Sequence, residues 1–277
     1  MNRTKKKEKS KKATPTILII IAVLLLAGLF VFGAYGGIGP FRFIMIDKIA
    51  KLPGNSEEYS FDRIEPMENS PLAGKNIGVL GSSVVNGSAA QDNSVAEYLC
   101  ARFGCTYTKE AVNGTTLVDK TPWSYIKRLK GKMDPNAEYD LMVFQLSTND
   151  ATFKRPLGEI SESADLNDFD TSTVTGALEY MISYTKETWN CPVVFFTGSR
   201  YDSQEYGAMV ERLLELQEKY DFGVIDLWSG DAFNNISDEM RGIYMFDNIH
   251  PTMAGYRDWW GPEMERQLLD YLNKLTK

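Results

Sequence analysis

The chain has 277 residues, 43% of them apolar and 24% charged, enough to bury a sizeable core and too apolar for a disordered tail or a collagen-like repeat. Three cysteines, Cys100, Cys105 and Cys191, are too few for a disulfide-stapled mini-domain and lack the Cys-x-x-Cys spacing of a zinc site. Residues 1–12 carry seven cations against Glu8, so the net charge of -7 conceals a local +6 and leaves -13 on the remainder, a body that repels nucleic acid and favours neutral or cationic partners.

After the basic start no charge appears from Ala13 to Phe41, and Ile17 to Tyr35 is a nearly unbroken apolar run of nineteen residues. At a helical rise of about 1.5 Å per residue it spans roughly 28 Å, close to a bilayer's hydrocarbon core. A cleavable secretory signal, the rival reading, has an apolar region of only about 7–15 residues and needs a small-x-small site. The length favours a single-pass transmembrane signal anchor over residues 16–36, preceded by a basic cytoplasmic tail, 1–15. The lysine cluster stays on the cytoplasmic side and places the remainder of the chain outside it. Residues 37–73 are broken by Gly36-Gly37, Pro40, Pro53-Gly54, Pro66 and Pro71 and read as a juxtamembrane linker, with a short helix around Ile44 to Leu52.

From Lys75 short apolar runs alternate with amphipathic stretches, the rhythm of a parallel sheet covered by helices on both faces. The expected strands are Asn76 to Leu80, Thr106 to Val112, Asp140 to Leu146, Pro192 to Thr197 and Gly223 to Leu227. Ser94-Val-Ala-Glu97 has the capping-box form and opens a helix with Val95, Tyr98 and Leu99 on one face. Helical stripes follow at Val174, Leu178, Met181, Ile182, Thr185 and Trp189, and at Met209, Val210, Leu213, Leu216 and Tyr220. Pro262 suits the first turn of a terminal helix carrying Leu268, Leu269, Leu272 and Leu275. The cysteines read as small buried apolar residues, with a local Cys100–Cys105 disulfide as the alternative in an oxidising compartment.

In such a sheet ligands gather beyond the carboxyl ends of the strands, so the residues at those exits carry the chemical reading. His250 is the only histidine; Asp247, three residues earlier, can fix its tautomer and balance its charge when it acts as a base. Gly81-Ser82-Ser83 follows the first strand, where small residues allow a sharp turn that presents a hydroxyl. A plain glycine-serine turn or a phosphate cradle is the alternative, weakened by the lack of a Gly-Lys-Ser/Thr or GxGxxG pattern. Gly114, after the second strand, can offer an unobstructed backbone N–H. Asn149, after the third, can offer a side-chain amide, the donors that a carbonyl oxygen gaining negative charge requires.

In that order Ser83, Gly114, Asn149 and His250 resemble the four signature residues of the SGNH, or GDSL-like, hydrolase superfamily. The blocks are Gly81-Ser82-Ser83-Val84-Val85-Asn86-Gly87, Gly114, Ser147-Thr148-Asn149-Asp150 and Asp247 through Pro251. The resemblance covers residues 74–277, the hydrolase domain. It implies an α/β, three-layer α/β/α flavodoxin-like fold with a five-stranded parallel sheet, behind the N-terminal transmembrane helix. Ser82 stands where the family usually has Asp, and Ser147 where it usually has Gly. The resemblance implies a serine esterase with Ser83, Asp247 and His250 catalytic and Ser83, Gly114 and Asn149 forming the oxyanion hole, with no metal and no organic cofactor. The expected substrate is an acyl ester, of the acetyl type on an exported glycan. Acyl transfer to a wall polymer and a non-catalytic glycan-binding domain are the alternatives. The only other partner implied is the membrane, through the N-terminal helix.

Overall fold

The computed structural model describes residues 42–275, together with Val23. The expected cytoplasmic tail and signal anchor fall on residues that, Val23 aside, lie outside the described ones. Among the described residues no helix is long and apolar enough to cross a membrane. The chain separates into two compact units, residues 1–49 and 50–277. Helix α1 (Arg42–Ala50) lies where a short helix around Ile44 to Leu52 was expected.

The second unit is built on five parallel strands, β1 (Asn76–Gly81), β2 (Thr106–Ala111), β3 (Leu141–Gln145), β4 (Val193–Phe196) and β5 (Gly223–Ile225), in the order β2-β1-β3-β4-β5. Each lies within two residues of its expected bounds. The order reverses at β1, which pairs with β2 on one side and β3 on the other. A crevice therefore opens beyond the carboxyl ends of β1 and β3.

The helices of this unit are α2 (Ser83–Asn86), α3 (Val95–Phe103), α4 (Tyr125–Gly131), α5 (Thr148–Thr152), α6 (Val174–Trp189), α7 (Gln204–Glu215), α8 (Asp231–Asn234), α9 (Asp238–Tyr244) and α10 (Gly261–Leu275). Alternation along the strands assigns the faces. Met142, Phe144, Val193 and Phe195 pack with residues of α4, α6 and α7. Leu141, Val143, Val194 and Phe196 pack on the opposite face with residues of α3 and α10. Full burial of each phenylalanine stabilises the fold by roughly 1.5–3 kcal/mol, which is what holds the three layers.

Packing of this unit begins ahead of Gly74. Phe61 and Leu72 are buried in the face beneath α3, and the Phe61 ring meets Tyr98 edge-on at 6.2 Å. Asn55, also buried, donates to Ala89 O and accepts from Met253 N, each at 2.8 Å.

Two local expectations are modified. The Ser94 hydroxyl bonds the Glu97 carboxylate at 2.6 Å instead of capping a backbone N–H; Lys109 holds the other Glu97 oxygen at 2.6 Å and keeps the carboxylate from the reciprocal bond. Pro262 lies in the first turn of α10, as expected, but that turn is not a fresh start, because a π-helical turn, Gly255–Trp260, leads directly into it. The wider turn accommodates a proline ring that has no N–H to give. Gly261 lies so close to the Tyr98 ring that a Cβ there would sit 2.3 Å from it, so no side chain fits at that crossing.

Candidate active site

β1 ends at Gly81, and α2 begins two residues later with Ser83. α2 is a single turn, ended by Gly87 in the left-handed conformation, φ 75°, whose N–H returns to the carbonyls of Ser83 and Val84, a conformation glycine adopts without Cβ strain. Ser83 is thereby held at the strand exit, 9% exposed.

His250 reaches it from the far end of the sequence. An antiparallel bridge between Met245 and Pro251 pinches the base of its loop, and Phe246 N donates to His250 O at 2.9 Å. Inside the loop Asp247 Oδ1 accepts from Ile249 N and His250 N, each at 2.8 Å, while Oδ2 lies 2.8 Å from His250 Nδ1. A carboxylate only accepts, so the ring proton sits on Nδ1 and Nε2 is left as an acceptor. His250 Nε2 lies 2.7 Å from Ser83 Oγ. Burial raises the Asp247 carboxyl, but the bonds from the His250 ring and the two backbone N–H groups outweigh it and hold the group below its ordinary range. The loop is pinned to α2 by Tyr256, whose hydroxyl donates to Val84 O at 2.7 Å.

Gly114 sits in the loop after β2 with φ 74°, and a Cβ there would meet nothing within 4 Å. Its side of the loop is open. Three residues following β3 fasten this loop. Ser147 Oγ and Asn149 Nδ2 both donate to Thr115 O, at 3.2 and 2.9 Å. The fully buried Asp150 accepts from Leu117 N at 2.7 Å and Val118 N at 3.2 Å. Burial pushes the Asp150 carboxyl up to about 6 against the pull of those two N–H groups. One N–H of the Asn149 amide is thus used, and the other has no partner among the described residues. Ser147, at the family's glycine position, therefore supplies a loop-fastening hydroxyl. Ser82, at the family's aspartate position, donates from its backbone N–H and its hydroxyl to Gln145 Oε1, at 2.9 and 3.3 Å.

A residue that the sequence reading passed over joins these loops. Arg128 on α4, 1% exposed, donates to Gly81 O at 2.8 Å, Glu110 O at 3.1 Å, Trp123 O at 3.0 Å and Thr115 Oγ1 at 2.9 Å. It clamps the exit of β1, the end of β2 and the Gly114 loop to one guanidinium. The available signal was a cation set within the apolar stripe Tyr125, Ile126, Leu129 and Met133. A second link runs through Ser88, which takes Ser83 O on its N–H at 3.1 Å and donates its hydroxyl to Asn113 Oδ1 at 2.8 Å.

Ser83, Asp247 and His250 are therefore joined by direct hydrogen bonds, and Gly114 and Asn149 meet through Thr115. A cavity of about 340 Å³ opens against the Gly114 loop. A larger one, about 870 Å³ beyond β4 and β5 around Arg200 and Trp228, contains none of these residues. Among the described residues no group of three or more His, Cys, Asp or Glu side chains is arranged to hold a metal ion. Cys100 and Cys105 bring their sulfurs to 2.6 Å across the turn from α3 to β2, and Cys191 is buried separately.

The GDSL-like Lipase/Acylhydrolase family matches residues 79–257. Among solved structures, a protein from Lactobacillus plantarum is 18% identical with a TM-score of 0.58, covering 73% of this chain and 98% of its own. A protein described as "a possible lipase" from Chitinophaga pinensis is 16% identical with a TM-score of 0.53, covering 70% of this chain and 98% of its own. A third solved chain, 24% identical, has a TM-score of 0.59 and covers 72% of this chain and 98% of its own. At these identities the likeness is one of fold. No curated protein matches in sequence.

Proposed function

The chain belongs to the GDSL-like lipase/acylhydrolase family of hydrolases, and from that premise we propose that it is a serine esterase acting outside the cytoplasm on small acyl esters of carbohydrate. The observation that carries the reading is the continuous line of hydrogen bonds from Ser83 Oγ through His250 to Asp247.

In this mechanism His250 Nε2 takes the Ser83 proton as Oγ attacks the acyl carbon, and Asp247 orients the ring and balances the imidazolium. Negative charge gathers on the former carbonyl oxygen. The backbone N–H groups of Ser83 and Gly114 and the spare N–H of Asn149 receive it, a preorganised set of donors that costs no rearrangement during the reaction. His250 returns the proton to the departing alcohol, leaving an acyl-enzyme. Water, deprotonated by the same imidazole, then releases the acid and restores Ser83.

Export is supported by the apolar run from Ile17 to Tyr35 behind its lysine cluster, and an exported esterase meets surface and environmental glycans. The test is acetate release from p-nitrophenyl acetate and from acetylated glycans, together with fluorophosphonate labelling. Ser83→Ala is expected to abolish labelling and turnover, and His250→Ala to abolish turnover while the fold persists. Full activity in either variant, or labelling at another serine, refutes the assignment.

A further inference from the structure

The 340 Å³ cavity against the Gly114 loop has features that the serine chemistry does not use. Trp123 and Phe153, both on its wall, are 55% and 53% exposed, the most exposed aromatic side chains among the described residues. Arg155 completes the wall. Its backbone N–H is bonded to Asp150 O, and its guanidinium carbon lies 5.5 Å from the centre of the Phe153 ring. The Arg155 Nε is buried without a hydrogen-bond partner, and among the described residues the guanidinium forms no ion pair. Arg102, Arg128, Arg200, Arg212, Arg257 and Arg266 each donate to carboxylates or carbonyls. The neighbouring Asp150 carboxylate has its oxygens committed to Leu117 and Val118.

A guanidinium stacked on one exposed aromatic ring, and sharing a cavity wall with a second ring and with the Gly114 loop, is chemically matched to a sugar that lays the C–H face of its ring on an aromatic side chain and carries a carboxylate or phosphate for the guanidinium to take. We infer that this cavity is a subsite for an acidic sugar, resting on the serine esterase reading of the neighbouring residues. The ring lies against Trp123 and Phe153, its carboxylate or phosphate is taken by Arg155, and its acyl ester is thereby presented on the Gly114 side. The preferred substrate class is the O-acyl ester of an anionic glycan. The remainder of the chain is acidic, so this selectivity resides in short-range contacts within the cavity and not in long-range steering.

The full chain is assayed on O-acetylated polygalacturonate and on O-acetylated xylan freed of its uronic acid branches, with p-nitrophenyl acetate in parallel to report on serine chemistry alone. The wild-type kcat/KM is expected to be about tenfold or more higher for the acidic polymer, mainly through KM. In Arg155→Gln the ratio falls to near one, and in Arg155→Lys, which keeps the charge without the fork, it is intermediate. Inhibition by glucuronate and by glucose 6-phosphate, each against glucose, tells which anion fits better. Calorimetric binding of trigalacturonate in preference to xylotriose, lost in Arg155→Gln, is the second expected result. A wild-type ratio near one, or a ratio that survives in Arg155→Gln, with p-nitrophenyl acetate still turned over, overturns the subsite alone. Loss of p-nitrophenyl acetate turnover in the wild type, with selective trigalacturonate binding retained, overturns the esterase reading and leaves the subsite standing.

Discussion

Replacing Arg128 with Met retains most of the buried stem and removes the donors to Gly81 O, Glu110 O, Trp123 O and Thr115 Oγ1. Hydrogen bonds from a charged donor contribute roughly 1.5–3 kcal/mol each, a gross loss of about 6–12 kcal/mol. Against this, a fully buried guanidinium no longer has to be stripped of water, which returns several kcal/mol. A net loss of about 3–5 kcal/mol follows, as is typical when one partner of a buried charged network is removed. For a unit of this size that lowers Tm by roughly 10 °C. Activity responds separately, because the same guanidinium fixes the Gly114 loop against the turn that presents Ser83. Displacements near 1 Å cost about a hundredfold, so kcat on p-nitrophenyl acetate should fall by that order at 15 °C, where the variant is still folded. Arg128→Lys, with its charge but no planar fork, falls between. Thermal scans, urea titrations and steady-state kinetics on all three proteins measure both effects. A Met variant that loses stability but keeps the wild-type kcat would show that the clamp supports the fold and not the reaction.

Asn149→Ala should lower kcat by about 10²–10³ with little change in KM, the usual cost of one oxyanion donor; a decrease of less than threefold would remove Asn149 from that role. Asp150 gives a pH signature. Its carboxyl titrates at about 6 in the folded chain and near 3.9 when unfolded, so between those values the folded state holds a proton that the unfolded state has released. Its contribution is therefore fully present below about pH 4, declines as pH rises to 6 and is flat above, a loss of roughly 3 kcal/mol. The Tm difference between wild type and Asp150→Asn should vary across that window, and parallel profiles would refute the assignment. Asp247 acts with the opposite sign: its lowered value contributes stability above the ordinary carboxylate range that is lost as pH falls through the folded value.

The inner strands were legible because each is a short apolar run buried on both faces, so that Leu141 to Phe144 and Val193 to Phe196 need no partner to be recognised; the edge strand β2, exposed or half-buried along its length, was legible only from its place in the alternation of strands and helices. The candidate positions Ser83, Gly114 and Asn149 could be picked out for a different reason, their residue types at strand exits, and His250 as the chain's one histidine beside a carboxylate; the structure brings Ser83 to His250 and Asn149 to Thr115. Helices α2, α4, α5, α8 and α9 were not anticipated; α2 and α5 are only four and five residues long, and α8 and α9 bury no residue fully and leave little periodic trace. Arg128 escaped because its burial depends on carbonyls from two strands and a loop that become neighbours only after folding. Trp123 and Phe153 escaped for the converse reason, since an aromatic residue in a sequence gives no sign that it will remain at the surface.

The imidazole and its carboxylate lie three residues apart in one loop, whereas the hydroxyl they act on is 167 positions earlier in the chain. During synthesis a ribosome releases Ser83 well before His250 exists, so under the proposed mechanism a nascent polypeptide would carry its nucleophile without the base that arms it. On the same mechanism, proteolytic fragments ending anywhere between those positions would be equally harmless to esters, and competence for the reaction would arrive late and all at once.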